Sequence, residues 1–132
     1  MVVYRINEVA KVLGVSPDTV RRWGDAGRLT ARRDQTGRRM VEGEDLAAFA
    51  RDRLATGQRH NSTSSARNRL RGIVTEVVRD GVMAQVEITT GPYRVVSLMS
   101  LEAADQLGLH VGVLAEAVIK STNVVVERPA SD

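Results

Sequence analysis

The part of the chain with the most evident capacity for chemistry is a cluster of arginines in its first third. Seven arginines and two aspartates lie between Arg21 and Arg39, which gives this short stretch a local charge of +5. The whole chain of 132 residues carries a formal charge of only +3, and its basic and acidic residues balance over residues 56–132. All the excess positive charge therefore lies in residues 1–55. Guanidinium groups at this density are typical of a surface that binds a polyanion such as a nucleic acid.

Other kinds of chemistry are excluded by composition. The chain contains no cysteine, so a disulfide framework, a thiolate metal site and a cysteine nucleophile are all ruled out. His60 and His110 are its two histidines, too few for a histidine-rich metal site. The sequence has no nucleophile–base pair, no paired carboxylates at helical spacing and no phosphate-cradling glycine loop, so we do not expect an enzyme. Short apolar runs and the lack of a signal-peptide core predict a cytoplasmic protein.

Two helices are predicted at the start of the chain, and the second of them contains the first arginines of this cluster. Apolar residues at helical spacing indicate a short helix from near Asn7 to Gly14. Ser16 followed by Pro17 is typical of an N-cap and first helical position, and Gly27 suits the residue just after the helix end. A first helix, a glycine turn and a capped second helix form the layout of a helix-turn-helix, whose second helix can enter a major groove.

The remaining arginines follow in a predicted hairpin. The block RLTARRDQTGRRMVE indicates two short strands around a turn at Asp34–Gly37, and EDLAAFARDRLA returns to helical spacing. We expect Leu46, Phe49 and Leu54 to share one face of that helix. Trp23, the one tryptophan of the chain, is expected to pack in the small core and not to contact bases.

The first 50 residues or so resemble the winged helix-turn-helix of the MerR/excisionase superfamily. The resemblance rests on INEVAKVLGVSPDTVRRW and GRLTARRDQTGRRMVEGEDLAAF. It implies double-stranded DNA as a partner, with Thr19 and Arg21 of the second helix in contact with DNA. Other residues near the start of that helix, together with the basic hairpin, are expected to complete the DNA-binding surface. The candidate DNA-binding residues are Ser16, Asp18, Thr19, Arg21, Arg22, Arg32, Arg33, Arg38 and Arg39.

The pattern changes after a polar tract at residues 56–64, TGQRHNSTS, which contains no apolar residue and indicates a linker. A β-like apolar run begins at Gly72, residues 82–88 alternate with the period of a strand, and YRVVSLM, VLAEAVIK and NVVVE supply three more strands, five in all. The block LEAADQLG predicts one or two helical turns ended by Gly108. The expected fold class is α+β with two domains: a helix-turn-helix domain at residues 1–55 and a small five-stranded β-barrel at residues 65–128.

Four blocks of the second half are similar to a molybdate-binding Mop (TOBE) domain, an OB-like barrel. They are SARNRLRGIVTEV, GVMAQVEI, MSLEAADQLGL and AVIKSTNVVVE, and together they extend from about Ser64 to Glu127. The resemblance implies molybdate or tungstate as the ligand and a homo-oligomer, either a dimer or a hexamer. It also implies that the SARN and IKST blocks come from different subunits and meet around the anion.

The chemistry of these blocks suits that ligand. A tetrahedral dianion offers only acceptor oxygens, so it needs convergent N–H groups, hydroxyls and one or two cations. Ser100 occupies a hydroxyl position of the family but also suits an N-cap, and Ala103 stands where the family has a second hydroxyl. The candidate oxyanion-binding residues are Ser65, Ala66, Arg67, Asn68, Ser100, Lys120 and Ser121.

The sequence therefore favours a DNA-binding transcriptional regulator that responds to molybdate or tungstate. Two alternatives stay open. One is an intracellular molybdate store, against which the +5 cluster argues. The other is an excisionase-like architectural protein whose barrel only assembles subunits, which the missing hydroxyl at Ala103 favours.

Overall fold

The computed structural model describes residues 2–55 and 63–130, and most of the predicted linker, residues 56–62, lies outside the described residues. The chain divides into two compact units, residues 1–61 and residues 62–132. Within the described part of the chain, no helix is both long and apolar enough to cross a membrane.

The N-terminal unit combines three helices with a small antiparallel sheet. Its elements are β1 (Val3–Arg5), α1 (Ile6–Leu13), α2 (Pro17–Asp25), β2 (Arg32–Arg33), β3 (Arg39–Glu42) and α3 (Gly43–Ala55). The sheet has the order β1-β3-β2, with β1 and β2 each antiparallel to β3. Strand β1 has no counterpart in the sequence pattern, because three residues are too few to show a period of two.

The helix boundaries follow the predicted caps. Gly14 ends α1 in the left-handed conformation, with φ 69°, and the Ser16 hydroxyl caps α2 with Pro17 as its first residue. Gly27 follows the C-cap of α2 at φ 72°, also in the left-handed region. The predicted turn between β2 and β3 is closed by a hydrogen bond from the Gly37 amide to the Asp34 carbonyl, 3.0 Å long.

The core of this unit forms where the helices cover the sheet. Val9, Val20 and Val41 are fully buried there, and the rings of Trp23 and Phe49 lie 5.0 Å apart. Trp23 thus packs against the core as expected. The prediction for Leu54 is wrong, since its side chain is 76% exposed. At 100° per residue Leu54 lies about 140° around the helix from Phe49, so the two side chains leave opposite sides of α3.

The C-terminal unit is a curled antiparallel sheet with one short helix. Its elements are β4 (Asn68–Arg79), β5 (Met83–Thr90), β6 (Tyr93–Ser100), α4 (Leu101–Gln106) and β7 (Leu114–Ile119), followed by a 3-10 turn at Ser121–Asn123. The strand order is β6-β5-β4-β7. Alternate residues of β5 face the core as predicted, with Ala84, Val86 and Ile88 buried. Val82, predicted to lead this series, is 73% exposed because the strand begins only at Met83.

The expectation of five strands is wrong for the described chain, which has four in this unit. NVVVE, the predicted fifth strand, pairs with no strand of the described residues, and Val125 and Val126 are 83% and 86% exposed. Strands β6 and β7 form the two edges of the sheet. A strand exists only where a second backbone satisfies its N–H and C=O groups, and within the described residues NVVVE pairs with neither of these edges.

Strand β4 is the element that curls the sheet. Residues 68–73 pair with β7 and residues 73–79 pair with β5, with a register shift between Val74 and Glu76. Gly72 lies where β4 changes partner. A Cβ there would lie 2.9 Å from Ile88 Cγ2 and still closer to the Thr89 carbonyl oxygen, so only glycine permits this approach.

Candidate functional sites

The start of α2 presents a polar group of side chains that bond to one another. Ser16 Oγ accepts a hydrogen bond from the Thr19 amide at 3.2 Å, and the two hydroxyls lie 2.9 Å apart. Arg22 Nη2 donates to Thr19 Oγ1 at 3.2 Å. Arg21 Nη1 pairs with Asp18 Oδ1 at 2.8 Å, with half of the arginine side chain exposed. The five residues predicted at the start of α2 therefore lie on neighbouring turns of one exposed surface.

The hairpin that follows is held by the carboxylate of Asp34. Its Oδ1 accepts from the Thr36 amide at 2.9 Å, the Thr36 hydroxyl at 2.7 Å and the Arg38 amide at 3.0 Å. Its Oδ2 pairs with Arg5 Nη1 at 2.6 Å. The Thr36 hydroxyl and the Arg5 guanidinium, helped by the two amides, hold the pKa of Asp34 far below its usual value. The turn is thus tied both to itself and to the strand that precedes α1.

The four predicted hairpin arginines do not share one environment. Arg32 forms an ion pair with Glu42, and Arg33 Nη1 donates to the Gly37 carbonyl at 2.7 Å. Arg39 Nη2 pairs with Asp25 Oδ1 at 2.6 Å, so its guanidinium is directed at α2. The Arg38 side chain is exposed at the tip of the hairpin.

A groove of about 450 Å³ separates the start of α1, helix α2 and the hairpin. Its polar lining is Arg5, Asn7, Arg21, Arg33, Arg38 and Arg39. A groove lined by several guanidinium groups attracts an extended chain of phosphates. Arg5 and Asn7 are absent from the sequence-based candidates. Arg5 lies 16 residues before the arginine cluster, and only the fold brings it to the hairpin.

The second candidate site lies at the outer ends of β4 and β7. These strands are antiparallel neighbours with Asn68 opposite Ile119. Asn68 Nδ2 donates to the Ile119 carbonyl at 3.0 Å. The SARN and IKST blocks therefore adjoin within one chain, while their meeting around the anion from different subunits stays a prediction. The blocks adjoin because the β4–β7 register places the start of one strand beside the end of the other.

The side chains of this site are mostly exposed. Ser65, Arg67, Lys120 and Ser121 are exposed, while Ala66 and Asn68 are half-buried. The Ala66 amide donates to Ser64 Oγ at 3.1 Å, so this N–H is engaged within the loop. Ser121 begins the 3-10 turn, with Lys120 as the residue before it. The site offers an ammonium, a guanidinium, hydroxyls and backbone amides.

An ion-paired cluster fixes the two strands next to this site. Arg69 Nη1 pairs with Glu116 Oε1 at 2.7 Å, and Arg71 Nε lies 3.8 Å from Glu116 Oε2. The arginine and glutamate of the shorter pair are each about one-fifth exposed. Sequence reasoning missed Glu116, since only the strand register places it between two arginines. It holds β7 against β4 and so keeps the ends of these strands aligned.

Ser100 lies far from the other anion candidates within one chain. It is opposite Met83 in the β5–β6 pair, while Arg79, the last residue of β4, is opposite Ala84. Ser100 is therefore at the end of the sheet remote from Asn68. Its hydroxyl caps α4 and accepts from the Ala103 amide at 3.1 Å. Within the described residues, no group of His, Cys, Asp and Glu side chains could hold a metal ion.

Comparisons with known proteins match both halves of the chain. Residues 64–126 match the family model described as TOBE domain, and residues 3–54 match the one described as helix-turn-helix domain. Molybdenum-pterin-binding protein 3 of Clostridium pasteurianum is 41% identical over 63 residues, 47% of this chain and 93% of that protein. A probable molybdenum-pterin-binding protein of Haemophilus influenzae is 44% identical over 63 residues, covering 47% of this chain and 91% of that protein. The solved structure of a molybdate-binding protein from Sporomusa ovata is 27% identical with a TM-score of 0.49, and covers 51% of this chain and all of that one.

Proposed function

Because the chain belongs to the TOBE-domain family that includes the molybdenum-pterin-binding proteins, and also carries a helix-turn-helix domain, we propose that it is a DNA-binding regulator that responds to molybdate or tungstate. The observation that carries this proposal is the arginine-lined groove of the N-terminal unit, present in the same chain as a TOBE domain.

The N-terminal unit binds duplex DNA in this proposal, as a winged helix-turn-helix of the MerR/excisionase type. Thr19 and Arg21 of α2 contact bases or nearby phosphates in the major groove, with Ser16, Asp18 and Arg22 beside them. The β2–β3 hairpin is the wing, and its exposed Arg38 reaches the phosphate backbone. Arg5 joins this surface through the groove that it lines.

The C-terminal unit binds the oxyanion at the ends of β4 and β7. Lys120 and Arg67 supply positive charge, Ser65 and Ser121 supply hydroxyls, and backbone amides of the loop supply further donors. The relative from Clostridium pasteurianum named above, described as a molybdenum-pterin-binding protein, supports this choice of ligand. Ser100 joins the same anion only from a second copy, because within one chain it lies at the opposite end of the sheet.

Association of several copies follows from the same features. The sheet leaves β6 and β7 as edges, and the apolar segment Val124–Val126 is exposed beyond them. A single helix-turn-helix also covers only one short half-site, so two copies are needed for useful affinity. In this proposal the C-terminal unit assembles the oligomer, and the anion site lies at an interface between subunits.

Regulation then requires the anion to favour one arrangement of the subunits over another. A ligand that binds two arrangements equally does not shift their populations, so the site must be complete in only one of them. A site shared between two chains satisfies this condition, since it exists only where they meet.

The relatives favour a second candidate function, an intracellular molybdate store. The matched segment of 63 residues makes up 93% of the relative from Clostridium pasteurianum, so a TOBE domain constitutes nearly all of that protein. In this alternative the N-terminal unit has no role in the response to the anion.

Two measurements test the proposal. Calorimetric titration with molybdate, tungstate, sulfate and phosphate is expected to give heat with the first two anions only. Silence with all four contradicts oxyanion binding and leaves the TOBE domain as an assembly device. Binding to random-sequence duplex DNA, measured with and without molybdate, separates the two candidates: a regulator changes its DNA affinity with the anion, whereas a store does not.

A further inference from the structure

The guanidinium of Arg39 joins the hairpin to the C-terminal end of α2. Its Nη2 atom lies 2.6 Å from Asp25 Oδ1, and its Nη1 atom donates to the backbone carbonyl of Arg21 at 3.2 Å. Arg39 begins β3, and Asp25 is the last residue of α2. One side chain therefore connects two elements that are 14 residues apart in sequence.

The backbone of α2 leaves room for this guanidinium. A Cβ at Gly24 would lie 3.6 Å from Arg39 Nη1 and 3.7 Å from the Ala31 Cβ, which is ordinary contact distance. The guanidinium therefore packs directly beside α2 at Gly24, and a small side chain at that position would not displace it. The Arg39 side chain is only 25% exposed, compared with 58% for Arg32 in the neighbouring strand.

The charge distribution argues against a direct contact between Arg39 and a phosphate. Both of its terminal nitrogens already donate to protein oxygens, and one of these oxygens carries a full negative charge. Asp25 is 65% exposed, on a helix that is proposed to meet DNA. A carboxylate in that position repels phosphates, so its presence is best explained by the guanidinium that it holds.

We infer that Arg39 is a positioning residue, which acts through Asp25 to fix the hairpin relative to α2. The pair sets the distance between the hairpin arginines Arg33 and Arg38 and the base-facing residues of α2. Phosphate contacts fix the register in which base contacts are made, so both sets must fit one duplex at the same time. This inference rests on the proposed DNA-binding function and departs from the sequence-based assignment of Arg39 as a DNA contact.

The variant Asp25→Asn tests the inference, because the two possible roles of Asp25 predict opposite changes in DNA binding. Two duplexes serve as probes: one selected from a random library by the wild-type chain, and an unrelated duplex of equal length. Removing the carboxylate is expected to lower the preference for the selected duplex about tenfold, which corresponds to about 1.4 kcal/mol. If Asp25 does not position Arg39, loss of a negative charge instead tightens binding to both duplexes.

A double-mutant cycle with Arg39→Gln gives the second readout. If Arg39 acts through Asp25, Arg39→Gln adds little to the loss caused by Asp25→Asn. The matched control is Arg38→Gln in the same hairpin. Because Arg38 is proposed to contact a phosphate, Arg38→Gln is expected to weaken binding to both duplexes. Its loss of affinity should add in full to that of Asp25→Asn, and the salt slope of binding should fall by about 0.9.

The outcomes separate this inference from the function on which it rests. Additive losses, or a preference unchanged by Asp25→Asn, overturn the positioning role while leaving DNA binding intact. Absence of any duplex binding by the wild-type chain overturns both, and so does a selection that enriches no sequence. Thermal unfolding of each variant identifies a chain that does not fold, and Asp25→Asn alone decides the question if Arg39→Gln is such a chain.

Discussion

Asn68 lies opposite Ile119, and its side-chain amide donates to the Ile119 carbonyl at 3.0 Å. This bond joins the first residue of β4 to the last residue of β7 across 51 positions of sequence. It brings the loop that precedes β4 beside Lys120 within one chain. The two segments that carry most of the candidate anion-binding residues therefore lie side by side within one chain.

Lys120 is expected to be essential for binding the oxyanion. Lys120→Ala removes the ammonium beside Ser121, and a dianion that loses a charge-assisted donor in a small site binds far more weakly. Calorimetric titration with molybdate should show no measurable heat, while DNA binding remains measurable. The control is Arg128→Ala, which removes the same charge from the exposed terminal segment. Equal heats for the wild type and Lys120→Ala exclude Lys120 as a ligand.

Thr19 and Arg21 are expected to determine sequence preference. Replacing both with alanine removes the side chains proposed to reach the major groove, and each lost base contact costs about 1–3 kcal/mol of discrimination. A competition assay between a selected and an unrelated duplex measures the loss, and molybdate titration should be unchanged. Arg51→Ala, an exposed arginine on α3, provides the charge-matched control. Retained preference in the double variant rules out this role for the pair.

Gly72 is expected to tolerate no side chain. A Cβ there meets the Thr89 carbonyl and Ile88 where β4 crosses from β7 to β5, so Gly72→Ala should destabilise the C-terminal unit by about 1–3 kcal/mol. Chemical denaturation followed by circular dichroism measures this change.

Gly81→Ala is the matched control for that substitution. Nothing lies within 4 Å of a Cβ at Gly81, so the substitution should leave stability nearly unchanged or raise it slightly. Similar losses of stability in the two variants would show that the contacts of a Cβ at Gly72 do not cause the destabilisation.

Asp34 is expected to make the N-terminal unit sensitive to acid. Its pKa is lowered in the folded chain by the Thr36 hydroxyl and the Arg5 guanidinium. A carboxyl with a lowered folded pKa stabilises the fold above its unfolded pKa of about 4, and this contribution is lost as the pH falls further. Fluorescence of Trp23, the one tryptophan, reports on this unit. At pH values below about 4, the midpoint temperature of thermal unfolding of this unit should decrease more steeply with falling pH in the wild type than in Asp34→Asn.

Asp80→Asn is the control for the acid experiment. Hydrogen bonds from the Met83 and Val82 amides also lower the pKa of Asp80, but this residue lies in the other unit. The substitution should leave the Trp23 midpoint unchanged at every pH. Parallel pH profiles for the wild type and Asp34→Asn contradict the role assigned to Asp34.

Features that depend on neighbours in sequence were predicted correctly. The caps at Gly14, Ser16 and Gly27 define where α1 and α2 begin and end, because a cap acts within three or four residues of the terminus. The hairpin turn at Asp34–Gly37 and the alternation of β5 follow from local turn chemistry and a period of two. The positive charge of residues 1–55 is a matter of composition alone.

Features that join distant residues were decided by tertiary structure. The pairs Arg5–Asp34, Arg39–Asp25 and Asn68–Ile119 each depend on how whole elements pack, and no local pattern encodes them. The fifth strand failed for the same reason. The segment Val124–Val126 has strand composition, but a strand also needs a partner edge, and such an edge belongs to the fold and not to the segment. Local sequence therefore determined the elements and their charge, and their pairing determined which of the predicted residues share a site.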